Sequence, residues 1–300
     1  MSDNGSKRTV IVALAANVGV AGTKLGAAAI TGSSAMFAEA VHSVADSGNE
    51  ILLLVAQRRG GREAYFWALL AAIGVFVIGG TLAIYQGIHE LVHPTPVTAF
   101  AVAYAVLAVS FVLEAISFAQ ATRQLRAEAR RYDRDLLRHV VLTSDPTSRA
   151  VFAEDAAALI GIVIAAAGIA LHQVTDSVVP DAVASILIGV LLGAVALFLG
   201  ERNRDFLVGE EVSAAAKARI SSYIEAYPGI VEVRDLTVTF TGPDEVWIVA
   251  RVDVEDGLSG RGVEALVVDV ERTLIQRSAA ISRADIVPVG SAPLPRRDQM

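Results

Sequence analysis

Long apolar runs separated by short polar stretches occupy the first 200 residues of the chain. A helix needs roughly 20 consecutive apolar residues to cross the hydrocarbon core of a bilayer, and six segments reach that length. They are residues 9–30, 35–56, 65–91, 97–120, 150–171 and 179–200. The pattern predicts an α-helical membrane protein whose residues 1–208 form a six-helix transmembrane bundle.

The hydrophobic period changes in residues 209–300, where amphipathic helices and alternating strands replace the long apolar runs. The predicted elements are a helix at 213–230, strands at 231–240 and 245–254, a helix at 260–278 and a strand at 284–289. This αββαβ order predicts a small α+β domain of ferredoxin-like type. We expect this second domain to be soluble and cytoplasmic.

Basic residues lie on one side only of the predicted spans. Cytoplasmic loops accumulate arginine and lysine, so we expect both termini and the loop 121–149 in the cytoplasm. The residues concerned are Lys7, Arg8, Arg58, Arg59, Arg62, Arg123, Arg126, Arg130, Arg131, Arg134, Arg138, Arg149, Arg202 and Arg204. The first apolar run exceeds a signal-peptide core and lacks a cleavage site, so it is expected to stay as a helix. A cell membrane, such as the bacterial inner membrane, is the expected location.

Composition narrows the function classes. The chain is 54% hydrophobic with a mean hydropathy of +0.53, which supports a membrane protein. A net charge of −7 gives no basic face for nucleic acid. The absence of cysteine excludes disulfides and thiolate ligands, so any metal must be held by nitrogen and oxygen. No nucleophile–base set or phosphate loop is present, which argues against an enzyme.

Acidic residues dominate the ionisable groups within or at the edges of the predicted spans. An intramembrane charge costs about 2.5–3.5 kcal/mol on insertion scales, so each one suggests a function. The acids are Glu39, Asp46, Glu50, Glu90, Glu114, Glu154 and Asp155, and the only lysine or arginine well inside a span is Lys24. Such a bundle attracts cations. We expect Glu114 to pair with Lys24 or to line the same cavity as the other acids.

The second predicted span carries a candidate metal half-site. His42 and Asp46 are four residues apart and share a helix face, where an imidazole and a carboxylate can converge on one ion. Asn49 lies one turn further along that face. The spacing alone is also compatible with a packing hydrogen bond between membrane helices.

The fifth predicted span supplies the facing acids. Glu154 and Asp155 are adjacent and point about 100° apart, so one of them is expected to face a given centre. Asp155 is the better candidate. The alternative is that one of the two acids caps a kinked helix start near Asp145 and Pro146.

The sequence around the first two predicted helices resembles a known protein family. Residues 22–54 read GTKLGAAAITGSSAMFAEAVHSVADSGNEILLL and resemble the helix 1 to helix 2 signature of the cation diffusion facilitators. The resemblance extends to YFW at 65–67, LEAISF at 113–118 and SDPT at 144–147. It also includes the αββαβ domain and so spans nearly the whole chain.

The resemblance implies a homodimeric, proton-coupled exporter of zinc or a related divalent ion. Imidazole and carboxylate ligands also suit manganese, iron and cobalt, and we expect exchange for protons by alternating access. The family's tetrahedral site takes two residues from helix 2 and two from helix 5. These positions are His42, Asp46, Val151 and Asp155 in this chain. Many members have a histidine where this chain has Val151, so three ligands transfer directly. Glu154, Asn49 or water could complete the shell. The adjacent Glu154 and Asp155 resemble the acid–aspartate pair on helix 5 of the mitochondrial zinc-transporter-like branch.

Two further departures bear on function. The loop after helix 2 is short and lacks histidine, and residues 209–300 contain no histidine at all. A loop metal site and a regulatory zinc cluster are therefore not expected, and no cofactor beyond the transported cation is predicted. The alternative function is a non-transporting membrane scaffold, in which Val151 marks a lost ligand and the second domain serves dimerisation alone.

Overall fold

The structure is a computed structural model that describes residues 3–290, except for the side chains of residues 3–13, 15, 16, 75 and 76. The predicted domains also include residues 1, 2 and 291–300, and the predicted orientation uses the Lys7 and Arg8 side chains. These lie outside the described part. The chain divides into two compact units, with the boundary between Arg204 and Asp205.

Long helices occupy all six segments that the apolar pattern predicts. The helices up to the second unit are α1 (Asp3–Thr31), α2 (Ser34–Arg59), α3 (Gly61–Val92), α4 (Phe100–Arg131), α5 (Leu136–Leu142), α6 (Pro146–Thr175) and α7 (Val179–Val208). Helix α4 runs eleven residues beyond the predicted end at 120. Residues 121–131 are rich in alanine, arginine, glutamine and glutamate, which are strong helix formers. The charged stretch is therefore largely helical rather than a loop.

Four helices are long and apolar enough to cross a membrane, among the residues that the structure describes. They are α3, α4, α6 and α7. The helical, membrane-type character of the first unit is thus confirmed. The count of six spans stays a prediction, because it also includes α1 and the more polar α2.

Polar side chains fix the two helix starts that matter for the candidate site. Ser33 caps α2 by accepting a hydrogen bond from the Met36 N–H at 3.0 Å. Asp145 caps α6 by accepting from the Thr147 N–H at 2.9 Å, with Pro146 at the first helical position. Because Asp145 performs this role, the alternative that Glu154 or Asp155 caps the helix is wrong.

Small residues bring the helices of the first unit close together. A Cβ on Gly80 of α3 would lie 2.8 Å from the Gly189 carbonyl of α7, and one on Gly189 would lie 2.7 Å from the Gly80 carbonyl. Only glycine permits this approach, which is typical of packed membrane helices. Helix α2 packs against α1, α3 and α6, so it lies at the centre of the contacts that shape the site.

The second unit has the predicted αββαβ order. Its elements are α8 (Ala214–Glu225), β1 (Ile230–Gly242), β2 (Glu245–Val254), α9 (Gly260–Arg277) and β3 (Ile281–Pro288). Strand β2 is central, antiparallel to β1 and parallel to β3. Both helices contribute to one core, with Ile224 of α8 and Leu274 of α9 buried in the same cluster as Val238 and Ile248. The ferredoxin-like assignment itself stays a prediction.

A buried carboxylate of α7 holds the start of α2. Asp181 accepts hydrogen bonds from the Ser33 hydroxyl at 2.7 Å and from the Ser34 N–H at 2.6 Å. We expect Asp181→Ala to lower the free energy of unfolding by about 1–3 kcal/mol, because it leaves the buried Ser33 hydroxyl and Ser34 N–H without this hydrogen-bond acceptor. The measurement is the thermal unfolding midpoint of the purified chain in detergent.

The matched control for this substitution is Asp176→Asn in the loop before α7. Asp176 is exposed and has a φ of 52°, a conformation that asparagine tolerates. The control should leave the midpoint unchanged. Equal midpoints for the two variants would show that Asp181 does not hold α2.

Candidate metal centre

The half-site on α2 consists of His42 and Asp46, which the helical spacing places one turn apart. The His42 Nε2 atom lies 3.5 Å from Asp46 Oδ2, and the two side chains are 2% and 17% exposed. Asp46 Oδ1 is buried and has no hydrogen-bond partner among the described residues. A buried carboxylate oxygen without a partner is uncommon, and it leaves this pair with capacity to bind a cation.

Asp155 of α6 is held by a hydroxyl from α4. The Ser117 Oγ atom donates a hydrogen bond to Asp155 Oδ2 at 2.7 Å. Val151 lies four residues before Asp155, so it shares the same face of α6. At the position where the family resemblance places a fourth ligand, the structure therefore has an apolar side chain.

Asn49 and Glu154 form a buried polar link between α2 and α6. The Asn49 side-chain amide donates a hydrogen bond to Glu154 Oε1, and both residues are buried. The two residues were predicted as further ligands, and in this conformation each satisfies the other. The bond positions the two half-sites on facing helices.

The five predicted ligands are therefore distributed over three contacts. His42 contacts Asp46, Asn49 contacts Glu154, and Asp155 contacts Ser117. Within the described residues, no group of three or more histidines, aspartates and glutamates is close enough to hold a metal ion. The complete ligand set stays a prediction, because this conformation does not bring it together.

An ion pair that the sequence did not predict lies between α1 and α2. Lys24 Nζ is 3.0 Å from Glu39 Oε2, and both side chains are fully buried. Glu114 was the expected partner of Lys24, but Glu39 is the residue in direct contact. The sequence could have predicted this pair. Lys24 and Glu39 lie at similar distances before and after the turn at Gly32 and Ser33, which places them at similar heights on two helices joined by that turn.

Glu39 also reaches the surface of α6 at Gly161. A Cβ on Gly161 would lie 2.3 Å from Glu39 Oε1, so the hydrogen on the Gly161 α-carbon points at this oxygen. Such Cα–H contacts recur at helix interfaces. Glu39 Oε1 has no conventional hydrogen-bond partner among the described residues, so the glycine gives it room and a weak donor.

A polar cavity lies beside Asp155. It measures about 420 Å³ and lies between the ends of α2, α4 and α6 that carry the arginine-rich segments. Its walls include Gln57, Ser117, Gln124, Asp145 and Val151. Ser117 thus contacts both the cavity and the Asp155 carboxylate.

Comparison with known proteins places the chain in a family. The cation efflux transmembrane domain matches residues 10–208, which is most of the first unit. The chain belongs to the cation efflux family. This is a family of transporters and not a class of enzymes, so the prediction that the chain is no enzyme is confirmed.

Curated relatives place this cation efflux chain in one branch of the family. It is 32% identical over 263 residues to the proton-coupled zinc antiporter SLC30A9, mitochondrial, of Xenopus laevis, covering 84% of this chain and 47% of the relative. It is 30% identical over 237 residues to the Homo sapiens protein of that name, covering 75% and 42%. Metal tolerance protein C4 of Arabidopsis thaliana is 31% identical over 265 residues, covering 84% and 58%. The predicted family and branch are confirmed, although the chain spans only 42–58% of the length of these relatives.

A solved structure of CzrB in its zinc form also resembles part of the cation efflux chain. It covers 29% of this chain and 98% of its own, at 19% identity and a TM-score of 0.25. That likeness is too slight to bear on the fold.

We expect Gly161→Ala to destabilise this cation efflux chain. A Cβ built at position 161 would lie 2.3 Å from Glu39 Oε1, so the new methyl group would overlap this atom. Overpacking of this kind costs about 1–3 kcal/mol. The measurement is the thermal unfolding midpoint of each variant.

Gly193→Ala on α7 is the control, because a Cβ there meets no atom within 4 Å. It adds the same methyl group without overlap and should leave the midpoint unchanged. A Gly161→Ala midpoint equal to that of the control would contradict the close contact between α2 and α6.

Proposed function

We propose that this chain is a six-helix secondary transporter that exports a divalent metal cation, zinc first among the candidates, in exchange for protons. Membership of the cation efflux family supports transport. The relatives described as proton-coupled zinc antiporters support both the ion and the exchange. Manganese, iron and cobalt remain candidate substrates, because imidazole and carboxylate ligands accept them as well.

One observation carries this proposal: ionisable half-sites lie on two adjacent helices that are joined by a hydrogen bond from an uncharged amide. His42 and Asp46 project from α2, Asp155 projects from α6, and the Asn49–Glu154 bond links the helices. Glu154 is held by an uncharged amide, so a metal ion can replace that amide as its partner without leaving a buried positive charge unpaired. The arrangement suits reversible binding of a divalent ion.

Exchange with protons follows from ligand chemistry. Imidazole and carboxylate groups bind metal only when they are deprotonated, so metal binding releases protons and protonation releases the metal. In the proposed cycle, the ion enters through the cavity beside Ser117 and meets Asp155 and Asp46. The bundle then opens to the other side, and protons displace the ion.

The proposed location follows from the arginine distribution. Both termini and the arginine-rich ends of α2, α4 and α6 would face the cytoplasm, in a multi-pass protein of a cell membrane. The cavity beside Asp155 opens among these same helix ends, which supports entry from the cytoplasm. The second unit would be a cytoplasmic ferredoxin-like domain that serves homodimer formation.

Uptake of metal into proteoliposomes tests the proposal. We expect the purified chain to move zinc across the membrane in exchange for protons when a proton gradient is imposed. His42→Ala and Asp155→Ala should each abolish that movement, because each removes a ligand. The control is Glu63→Gln, since Glu63 is 62% exposed in a surface pair with Arg59. If the unsubstituted chain moves neither zinc, manganese, iron nor cobalt, the scaffold alternative replaces transport.

Ser117 should matter for metal affinity through its hydrogen bond to Asp155. Ser117→Ala removes the donor at 2.7 Å from Oδ2, and loss of a ligand's supporting partner typically weakens metal affinity about 10–100-fold. Isothermal titration of zinc into the detergent-purified chain measures the effect.

Ser117→Thr keeps the hydroxyl group and is the matched control, which should retain most of the affinity. Equal affinities for the alanine and threonine variants would contradict a positioning role for Ser117. The unfolding midpoint is measured alongside, because a purely structural effect would move the midpoint and leave the affinity of the folded chain unchanged.

A further inference from the structure

Two histidines stand side by side at the C-terminal end of α3, away from the candidate centre. The His89 and His93 ring centroids are 4.7 Å apart and the ring planes are inclined by 26°. Both side chains are exposed. Their spacing of four residues places both imidazoles on one face of the helix end, so their nitrogen atoms can reach a common ion.

The end of α3 holds this pair in a fixed position. The His93 N–H donates to the His89 carbonyl at 2.8 Å, which closes the last turn. The loop that follows is fastened to the helix, because Glu90 Oε1 accepts a hydrogen bond from the Thr95 N–H at 2.7 Å. The two imidazoles therefore project from a rigid helix end, which lowers the entropic cost of bringing them together around an ion.

Residues 89–93 read HELVH, the spacing in which two helical histidines bind zinc. In hydrolases with that motif, the glutamate activates a water molecule. Glu90 is 2% exposed and bonded to Thr95 through both the N–H and the hydroxyl. It is turned away from this role, so the motif retains the metal ligands and lacks the free base that hydrolysis needs.

The local field favours a cation. The C-terminal end of a helix carries a partial negative charge. The turns at 32–33, 93–99 and 176–178 contain no lysine or arginine, while Asp176 lies in the last of them. Zinc, nickel and copper bind imidazole readily, whereas magnesium and calcium prefer oxygen ligands.

We propose that His89 and His93 form a second, surface site for a transition-metal dication of the zinc class, with water completing its coordination shell. With both termini in the cytoplasm, as the proposed function has it, the site lies on the side of the membrane where the exported ion leaves. Only the role of the site rests on that proposed function. There it would bind the ion after release from the central site.

Zinc binding to the full chain in detergent tests the second site. The background carries Asp46→Asn and Asp155→Asn, so that the central site no longer binds. We expect this background to bind one zinc ion that excess magnesium does not displace. Adding His89→Ala and His93→Ala should weaken that binding at least about tenfold, because both protein ligands are lost.

The matched control moves one imidazole and keeps their number. Adding His93→Ala and Leu91→His to the background leaves two histidines that are two residues apart, on different faces of α3. This variant should bind as poorly as the double alanine variant. Undiminished zinc affinity in the double alanine variant would overturn the proposal, and so would undiminished affinity in the shifted variant.

The outcome is separable from that of the transport assay. Zinc binding that depends on both histidines, in a chain that moves no metal into proteoliposomes, would support the second site and refute the proposed function. Transport without zinc binding at the histidine pair would refute the second site alone.

Discussion

Polar groups inside a helix bundle without water must find their partners on other helices, and this constraint organises the first unit. The hydrocarbon region offers no solvent donors or acceptors, so an unmatched polar group costs several kcal/mol. Four of the buried acids described above meet a donor from another helix or from its cap, whereas Asp46 contacts His42 of its own helix and Glu90 accepts from Thr95 in the loop after α3. The pairs are Lys24–Glu39, Ser33–Asp181, Asn49–Glu154 and Ser117–Asp155. Helix α2 or its cap takes part in three of them, which explains its central position.

The nature of each partner separates structural acids from candidate ligands. Glu39 is neutralised by the ammonium group of Lys24, and a metal ion that replaced this contact would leave a buried lysine without a counter-ion. Asp155 and Glu154 are held by a hydroxyl and an amide, which carry no charge. These acids gain the full attraction of a dication when they exchange partners. Glu39 is thus a structural acid, whereas Asp155 and Glu154 are the acids that the proposed function would use as exchangeable ligands.

The lengths of the apolar runs and the period of the hydrophobic positions predicted most of this fold. Apolar runs of about 20 residues are a direct consequence of bilayer thickness, and the αββαβ order followed from the change of period after residue 208. The half-site of His42 and Asp46 followed from a spacing of four residues. Partners on different helices were harder to predict, since Asn49 and Glu154 are 105 residues apart and periodicity does not record which helix faces which.

The departure at Val151 has a consequence for the chemistry of the site. An imidazole at this position would add a nitrogen ligand on the same face as Asp155, whereas Val151 forms an apolar part of the cavity wall. The remaining side chains near the centre are one imidazole, three carboxylates and one amide, so most of the available donor atoms are oxygen. Oxygen-rich sets favour harder ions than imidazole-rich sets do, and they leave a coordination position for water. In the proposed site, Val151 would therefore favour a partly hydrated ion, and Asn49 and Glu154 are the candidates for the remaining coordination positions.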